Sequence, residues 1–124
     1  MKPADLTLLI VDDDADLVEI MCRTFQEMGF NILTASSGTA ALGVLKENQV
    51  DVVLSDIQMP NGDGIELLAE IMTNHHEPPV FIFITGHPEI SRQDLLAKGA
   101  TAVFPKPFEL EAVYQAIIKT MGAT

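Results

Sequence analysis

The chain has 124 residues, 48% of them hydrophobic, and a formal net charge of -11, which fits one domain with a real core and leaves little room for a second. The acidic balance opposes direct binding to nucleic acid, which needs Lys and Arg to neutralise phosphates, and binding to an anionic membrane surface; it suits a divalent cation or a basic protein patch, although net charge speaks first of solubility. No apolar stretch approaches the roughly 20 residues of a membrane span, the acid-bearing start Met1-Lys2-Pro3-Ala4-Asp5 is not a signal peptide, and the single Cys22 excludes an internal disulfide, so a reducing, cytoplasmic setting is expected.

Apolar runs alternate with helical patterns along the chain. The first strand is expected over Leu6 to Val11. A helix follows from Asp14 to Met28, with Leu17, Ile20, Met21, Phe25 and Met28 at helical spacing, Asp14 as its N-cap and Gly29 as its stop. Asn31 to Ala35 is a short second strand, and Ser37 caps a second helix through about Asn48, with Ala41, Leu42 and Leu45 inward. Val52 to Asp56 is the third strand. The segment Met59-Pro60-Asn61-Gly62-Asp63-Gly64 reads as a loop, and a third helix from about Ile65 to Asn74 buries Leu67, Leu68 and Ile71. Phe81 to Thr85 is the fourth strand, Gly86-His87-Pro88 a turn, and Glu89 to Lys98 a weaker fourth helix. Ala102 to Pro105 is the fifth strand, and Phe108 to Met121 the last helix, with Leu110, Val113, Ile117 and Met121 at 3.6-type spacing.

Five strand–helix repeats predict an α/β fold, a doubly wound parallel sheet with helices on both faces. The third and fourth strands are continuous apolar runs, as strands buried on both sides should be. Short connections and right-handed crossovers favour the flavodoxin-like strand order 2-1-3-4-5. The whole of 1–124 then forms one domain.

In that order the carboxyl ends of four strands meet at the sheet edge where open α/β sheets bind ligands. They carry Asp12-Asp13-Asp14, Asp56, Thr85 and Lys106. Crowded carboxylates repel by about 1 kcal/mol at 4 Å even in water, and by more in a crevice. Either one of them is protonated or a hard divalent cation binds; Mg²⁺ takes oxygen ligands of this kind together with phosphate oxygens. Lys106, between Pro105 and Pro107, favours the ionised carboxylates and can pair with a phosphoryl oxygen. Thr85 can donate its hydroxyl to the same oxygen. Elsewhere, His75-His76 lacks a third metal ligand and reads as a polar helix end, Cys22 as a structural thiol, and the methionines as core filler.

The set Ile10-Val11-Asp12-Asp13-Asp14, Leu54-Ser55-Asp56-Ile57-Gln58-Met59-Pro60, Asn61-Gly62-Asp63-Gly64, Ile84-Thr85-Gly86 and Phe104-Pro105-Lys106-Pro107-Phe108 resembles the receiver domain of two-component response regulators, in order and spacing and over essentially the whole chain. The resemblance implies a signalling switch that catalyses only its own phosphorylation and dephosphorylation. Asp56 would be the phospho-acceptor, served by a sensor histidine kinase or a histidine phosphotransfer protein. Asp13 and Asp56 would bind Mg²⁺ (or Mn²⁺) directly, with Asp12 nearer its waters and the Gln58 backbone carbonyl as a further ligand. Lys106 would pair with the phosphoryl group and Thr85 would turn inward to bond it. Gly86 stands where the family has a small residue, keeping the site open. The resemblance further implies that Gln58 and His87 tune dephosphorylation, and that a downstream protein or output domain docks on the fourth helix, fifth strand and fifth helix.

One position departs from the family pattern. Three residues before Lys106, where many members carry Tyr or Phe as a rotamer switch, this chain has Val103. Phe104 is a poor substitute, because successive strand side chains point to opposite faces. Coupling through Thr85 and the fourth helix alone is the expectation. Two competing readings follow from the residues: a small Mg-dependent aspartate-nucleophile phosphatase of haloacid dehalogenase type, suggested by the Asp-x-Asp of Asp12-Asp13-Asp14, and a binding module whose site is intact but unused.

Overall fold

In the computed structural model, which describes residues 2–59, 63–86 and 90–123, five parallel strands form one sheet in the order β2-β1-β3-β4-β5. The strands are β1 (Thr7–Val11), β2 (Asn31–Ala35), β3 (Val52–Ser55), β4 (Val80–Thr85) and β5 (Ala102–Pro105). The helices between them are α1 (Ala15–Glu27), α2 (Gly38–Glu47), α3 (Gly64–Asn74), α4 (Arg92–Ala97) and α5 (Leu110–Met121). The predicted fold class and strand order are both observed.

The period-2 alternation of each strand divides the core in two. Leu9, Val11, Val53, Phe81 and Phe83 face one side, where Leu45 of α2, Leu67, Leu68 and Ile71 of α3, and Leu95 of α4 pack against them. Leu8, Ile10, Leu54, Ile82 and Ile84 face the other side, against Met21 and Phe25 of α1 and Val113 and Ile117 of α5. Edge-on rings tie that second layer together: Phe25 meets Phe30 with centroids 6.0 Å apart, and Phe30 meets Tyr114 at 5.8 Å. Truncating a buried phenylalanine in such a core costs about 3–5 kcal/mol. No helix among the described residues is long and apolar enough to cross a membrane.

Side-chain caps set where three of the helices begin. Asp14 caps α1, its Oδ1 accepting from the N–H groups of Asp16 at 3.1 Å and Leu17 at 3.2 Å. Ser37 caps α2 through Ala40 N at 3.1 Å. Asp63, expected as plain loop, caps α3 through Glu66 N at 2.8 Å.

Three expectations need correction. Ile20 is 57% exposed, because it sits about one residue, or 100°, off the Met21–Phe25 stripe that faces the sheet. Leu6 is buried but precedes β1: its N–H closes a 3-10 turn over Pro3–Asp5 by donating to Pro3 O at 3.0 Å. The fourth helix begins at Arg92, where Ser91 caps it, and buries Leu95. Its expected start at Glu89, the Gly86-His87-Pro88 turn beyond Gly86, and Pro60 to Gly62 of the loop lie outside the described residues.

Candidate functional site

The parallel register builds the site. Val11 pairs with Ser55, so Asp12 and Asp56 are the next residues beyond two neighbouring strand ends, and Asp56 N donates to Val11 O at 3.0 Å. Ser55 pairs with Phe83 and Thr85 with Pro105. Lys106 N then donates to Thr85 O at 2.7 Å, which fixes Lys106 just past the end of β5.

Side-chain hydrogen bonds complete the arrangement. Lys106 Nζ donates to Asp12 Oδ2 at 3.2 Å and to Asp56 Oδ2 at 3.3 Å. The second oxygen of each carboxylate is held by backbone: Asp14 N donates to Asp12 Oδ1 at 2.9 Å, and Ile57 N to Asp56 Oδ1 at 2.7 Å. Asp12 and Asp56 are buried, at 5% and 7% exposure, whereas Asp13 is exposed. One oxygen from each of Asp12, Asp13 and Asp56 lies within 4.8 Å of the others. Three hard oxygen donors so close, two of them taken out of water, fit a divalent cation such as Mg²⁺ better than any apolar or cationic ligand.

Burial holds the Asp12 carboxyl above its ordinary range, aided by the Asp56 charge, while the Asp14 N–H and Lys106 pull the other way. Partial burial works to lower the Lys106 ammonium, but the Asp12 and Asp56 carboxylates outweigh it and the net shift is upward. Lys106 therefore stays charged at neutral pH, and the pocket accumulates negative charge that one ammonium does not fully offset.

Thr85 is buried, at 7% exposure, and shares its strand face with Phe83. It lines a cleft of about 420 Å³ with Gly86, Ile90, Arg92, Val103, Pro105 and Lys106. A Cβ built on Gly86 would meet Lys106 Cβ at 3.9 Å, so a small side chain fits there and a large one would press on Lys106. Val103 packs against the layer of α3 and α4 and Phe104 against that of α1 and α5, as the alternation requires; Phe104 therefore does not stand in for an aromatic at Val103. Gln58 is exposed. His87 lies outside the described residues. On the other flank, a groove of about 740 Å³ beside Asp12 and Asp13 runs along α1 past Cys22.

Ser55 and Gly64 hold positions at the site that their place in the sequence does not declare. Ser55 Oγ donates to Asp56 O at 2.7 Å, and Gly64 N to Ile57 O at 2.7 Å. A polar residue ending the buried Val-Val-Leu run was the available signal for the first. His75, by contrast, ends α3, with its N–H donating to Ile71 O at 3.1 Å, and it is not in the one cluster of potential metal ligands found among the described residues.

A family model for the response regulator receiver domain matches residues 8–118. The chain is 40% identical over 119 residues to the transcriptional regulatory protein GlrR of Escherichia coli (strain K12), covering 94% of this chain and 26% of that one. It is 36% identical over 115 residues to the transcriptional regulatory protein CpxR of Klebsiella pneumoniae, covering 90% and 49%. The chain thus spans a quarter to a half of the length of these curated relatives. Among solved structures, a chain of the CheX-CheY-BeF3-Mg complex from Borrelia burgdorferi superposes with a TM-score of 0.86 at 33% identity, covering 94% of this chain and 89% of that one. The response regulator TrrA from Thermotoga maritima, in complex with Mg²⁺-BeF, gives 0.82 at 29% identity, covering 92% and 97%. The chain belongs to the response regulator receiver domain family, the phosphorylation-activated switches of two-component signalling systems. Nothing in these likenesses supports a phosphatase of haloacid dehalogenase type.

Proposed function

We propose that Asp56 accepts a phosphoryl group from a phosphohistidine, on a sensor histidine kinase or a histidine phosphotransfer protein, in a Mg²⁺-dependent reaction. The observation that carries this is Lys106 Nζ bridging two buried strand-end carboxylates, at 3.2 Å from Asp12 and 3.3 Å from Asp56, with Asp13 converging on the same point. An Asp56 carboxylate oxygen forms the new O–P bond as the P–N bond breaks, and the bonding pair stays with the imidazole. Phosphoryl transfer of this kind needs positioning and charge neutralisation above all.

Asp13 and Asp56 would hold Mg²⁺ (or Mn²⁺) directly, with Asp12 nearer its waters and the Gln58 carbonyl as a further ligand. The bound cation supplies neutralisation of phosphoryl oxygens; two structural relatives are described with Mg and a beryllofluoride. Lys106 carries the ammonium that pairs with the phosphoryl group, and Thr85 turns its hydroxyl toward it. Gly86 leaves the approach open, and Gln58 and His87 govern entry of the hydrolytic water. The added charge biases a two-state equilibrium that is read on the α4-β5-α5 face by a downstream protein or output domain. Residues 1–124 act as one receiver unit, in the cytoplasm, without contacting nucleic acid themselves.

Incubation with Mg²⁺ and acetyl phosphate, followed by intact mass, tests the reading. A phosphoryl adduct in the natural chain, absent in Asp56→Asn and absent under chelator, is expected. An adduct that survives Asp56→Asn refutes it.

A further inference from the structure

A hydroxyl buried in a strand carries a desolvation penalty unless it is bonded. Ser55 ends β3, is 1% exposed, and follows Val52, Val53 and Leu54. Its Oγ donates to the carbonyl oxygen of Asp56 at 2.7 Å. That carbonyl belongs to the Asp56–Ile57 peptide, and the N–H of the same peptide donates to Asp56 Oδ1 at 2.7 Å. A peptide is a rigid plane, so a bond that fixes the direction of its C=O also fixes the direction of its N–H. Gly64 leaves room for that bond: a Cβ built there would overlap the Asp56 carbonyl oxygen and lie 3.0 Å from Ser55 Oγ. With the plane held by its C=O, Oδ1 is pinned to the backbone by Ile57 N and Oδ2 is presented to Lys106 at 3.3 Å.

We propose that Ser55 is a positioning residue for phosphoryl uptake, its hydroxyl holding the Asp56–Ile57 peptide in the orientation that aims the Asp56 carboxylate. This rests on the reading of Asp56 as the acceptor. Ser55 touches neither donor nor phosphoryl group and acts through the backbone. Without the hydroxyl the peptide can rock, the carboxylate samples more orientations, and fewer of them are productive.

The test compares Ser55→Ala and Ser55→Thr with the natural chain, using acetyl phosphate and saturating Mg²⁺. In Ser55→Ala the maximal rate of uptake is expected to fall about fivefold to tenfold, the scale of one lost hydrogen bond, with the donor concentration at half-saturation changed by less than about twofold. Ser55→Thr, which keeps the hydroxyl, is expected to recover most of the rate. The Ile57 amide proton resonance gives an independent readout: it should move upfield in Ser55→Ala and return in Ser55→Thr. A folded Ser55→Ala with the natural rate and an unmoved Ile57 amide overturns the proposal, and so do equal losses in Ala and Thr variants, which would assign the effect to volume. If Ser55→Ala does not fold, Ser55→Cys, close in volume and a weak donor, decides: a slowed rate supports the role and a natural rate overturns it. A natural chain that takes up no phosphoryl group overturns the reading of Asp56 and this role with it, whereas uptake that is natural in Ser55→Ala overturns the role of Ser55 alone.

Discussion

Replacing Asp12 by Asn should stabilise the metal-free fold while weakening its response to Mg²⁺. The two carboxylates of Asp12 and Asp56 present oxygens within 4.8 Å of each other, where an effective dielectric near 20 gives a gross repulsion of about 3.5 kcal/mol. Lys106 offsets this at 3.2 Å from Asp12, a gross attraction of about 5 kcal/mol in the same medium. Burial is the largest influence on Asp12 and decides the sign, because its carboxyl is raised in the fold. The amide keeps the Oδ1 acceptor for Asp14 N and drops both the desolvation penalty and the repulsion, at the loss of the ionic part of the Lys106 pair. The two Coulomb figures alone favour the ionised carboxylate by about 1.5 kcal/mol, but burial outweighs them because the net shift is upward, so the net gain at pH 7 should be on the order of 1 kcal/mol, within the usual range of single substitutions, or roughly 3–6 °C in melting temperature for a chain of this size.

The pH dependence follows from the direction of the shift. A carboxyl whose folded pKa lies above its unfolded value of 3.8 binds more protons in the folded state, so ionising it destabilises the fold as pH rises from about 3.8 through the raised value. The advantage of Asp12→Asn should be full above that window and vanish below it. Thermal melts in chelator from pH 3 to 8, repeated with Mg²⁺, measure both effects. An Asn variant less stable than the natural chain at pH 7 in chelator, or an advantage that grows toward acid, would refute the reasoning.

Lys106→Met should slow phosphoryl uptake about a hundredfold or more, the scale for removing one preorganised charge donor, measured by intact mass against time. Because the folded ammonium is raised above 10.5, its stabilising contribution is present below that pH and lost as pH rises through the folded value; chemical denaturation above pH 10 should therefore flatten in the Met variant. Gly64→Ala should destabilise the fold by about 1–3 kcal/mol as an overpacking substitution, seen in urea midpoints, since its Cβ would overlap the Asp56 carbonyl; a neutral effect would show that the β3–α3 corner yields freely. Gln58→Ala and His87→Ala should each change the lifetime of the phosphorylated form, and unchanged autodephosphorylation would remove that assignment. Val103→Tyr should fold normally, because the ring has a cleft of about 420 Å³ to enter, and phosphorylation-induced NMR shifts should spread farther along β5 than in the natural chain.

The sheet could be read from the sequence because its signals are local and repeated. Runs such as Val52-Val53-Leu54 and Phe81-Ile82-Phe83-Ile84 declare strands covered on both faces, and the caps at Asp14 and Ser37 are one-residue statements of where helices begin. The gathering of Asp12, Asp56, Thr85 and Lys106 could be read for a related reason: in a parallel sheet of known order, register carries strand ends to one edge, so chemistry written at four separate places in the chain becomes one pocket. What escaped the sequence depends on contacts between elements. Ile20 shows helical spacing but stands one residue off the buried stripe, and only the packing of α1 on the sheet decides that it points outward. Ser55 and Gly64 are about nine residues apart, and their close approach at the Asp56 carbonyl exists only once the β3–α3 corner has closed. Val103 lies between these cases. Alternation alone excludes Phe104 as its substitute, and the two core layers agree; but the cleft that Val103 lines beside Thr85 depends on how the elements around it pack. Thr85 and Val103 line that cleft together, with Lys106 at its rim and at the carboxylates as well. If the proposed function holds, a shift of Lys106 toward a phosphoryl group on Asp56 would alter this cleft directly, giving a route to the α4–β5 surface that needs no aromatic rotor.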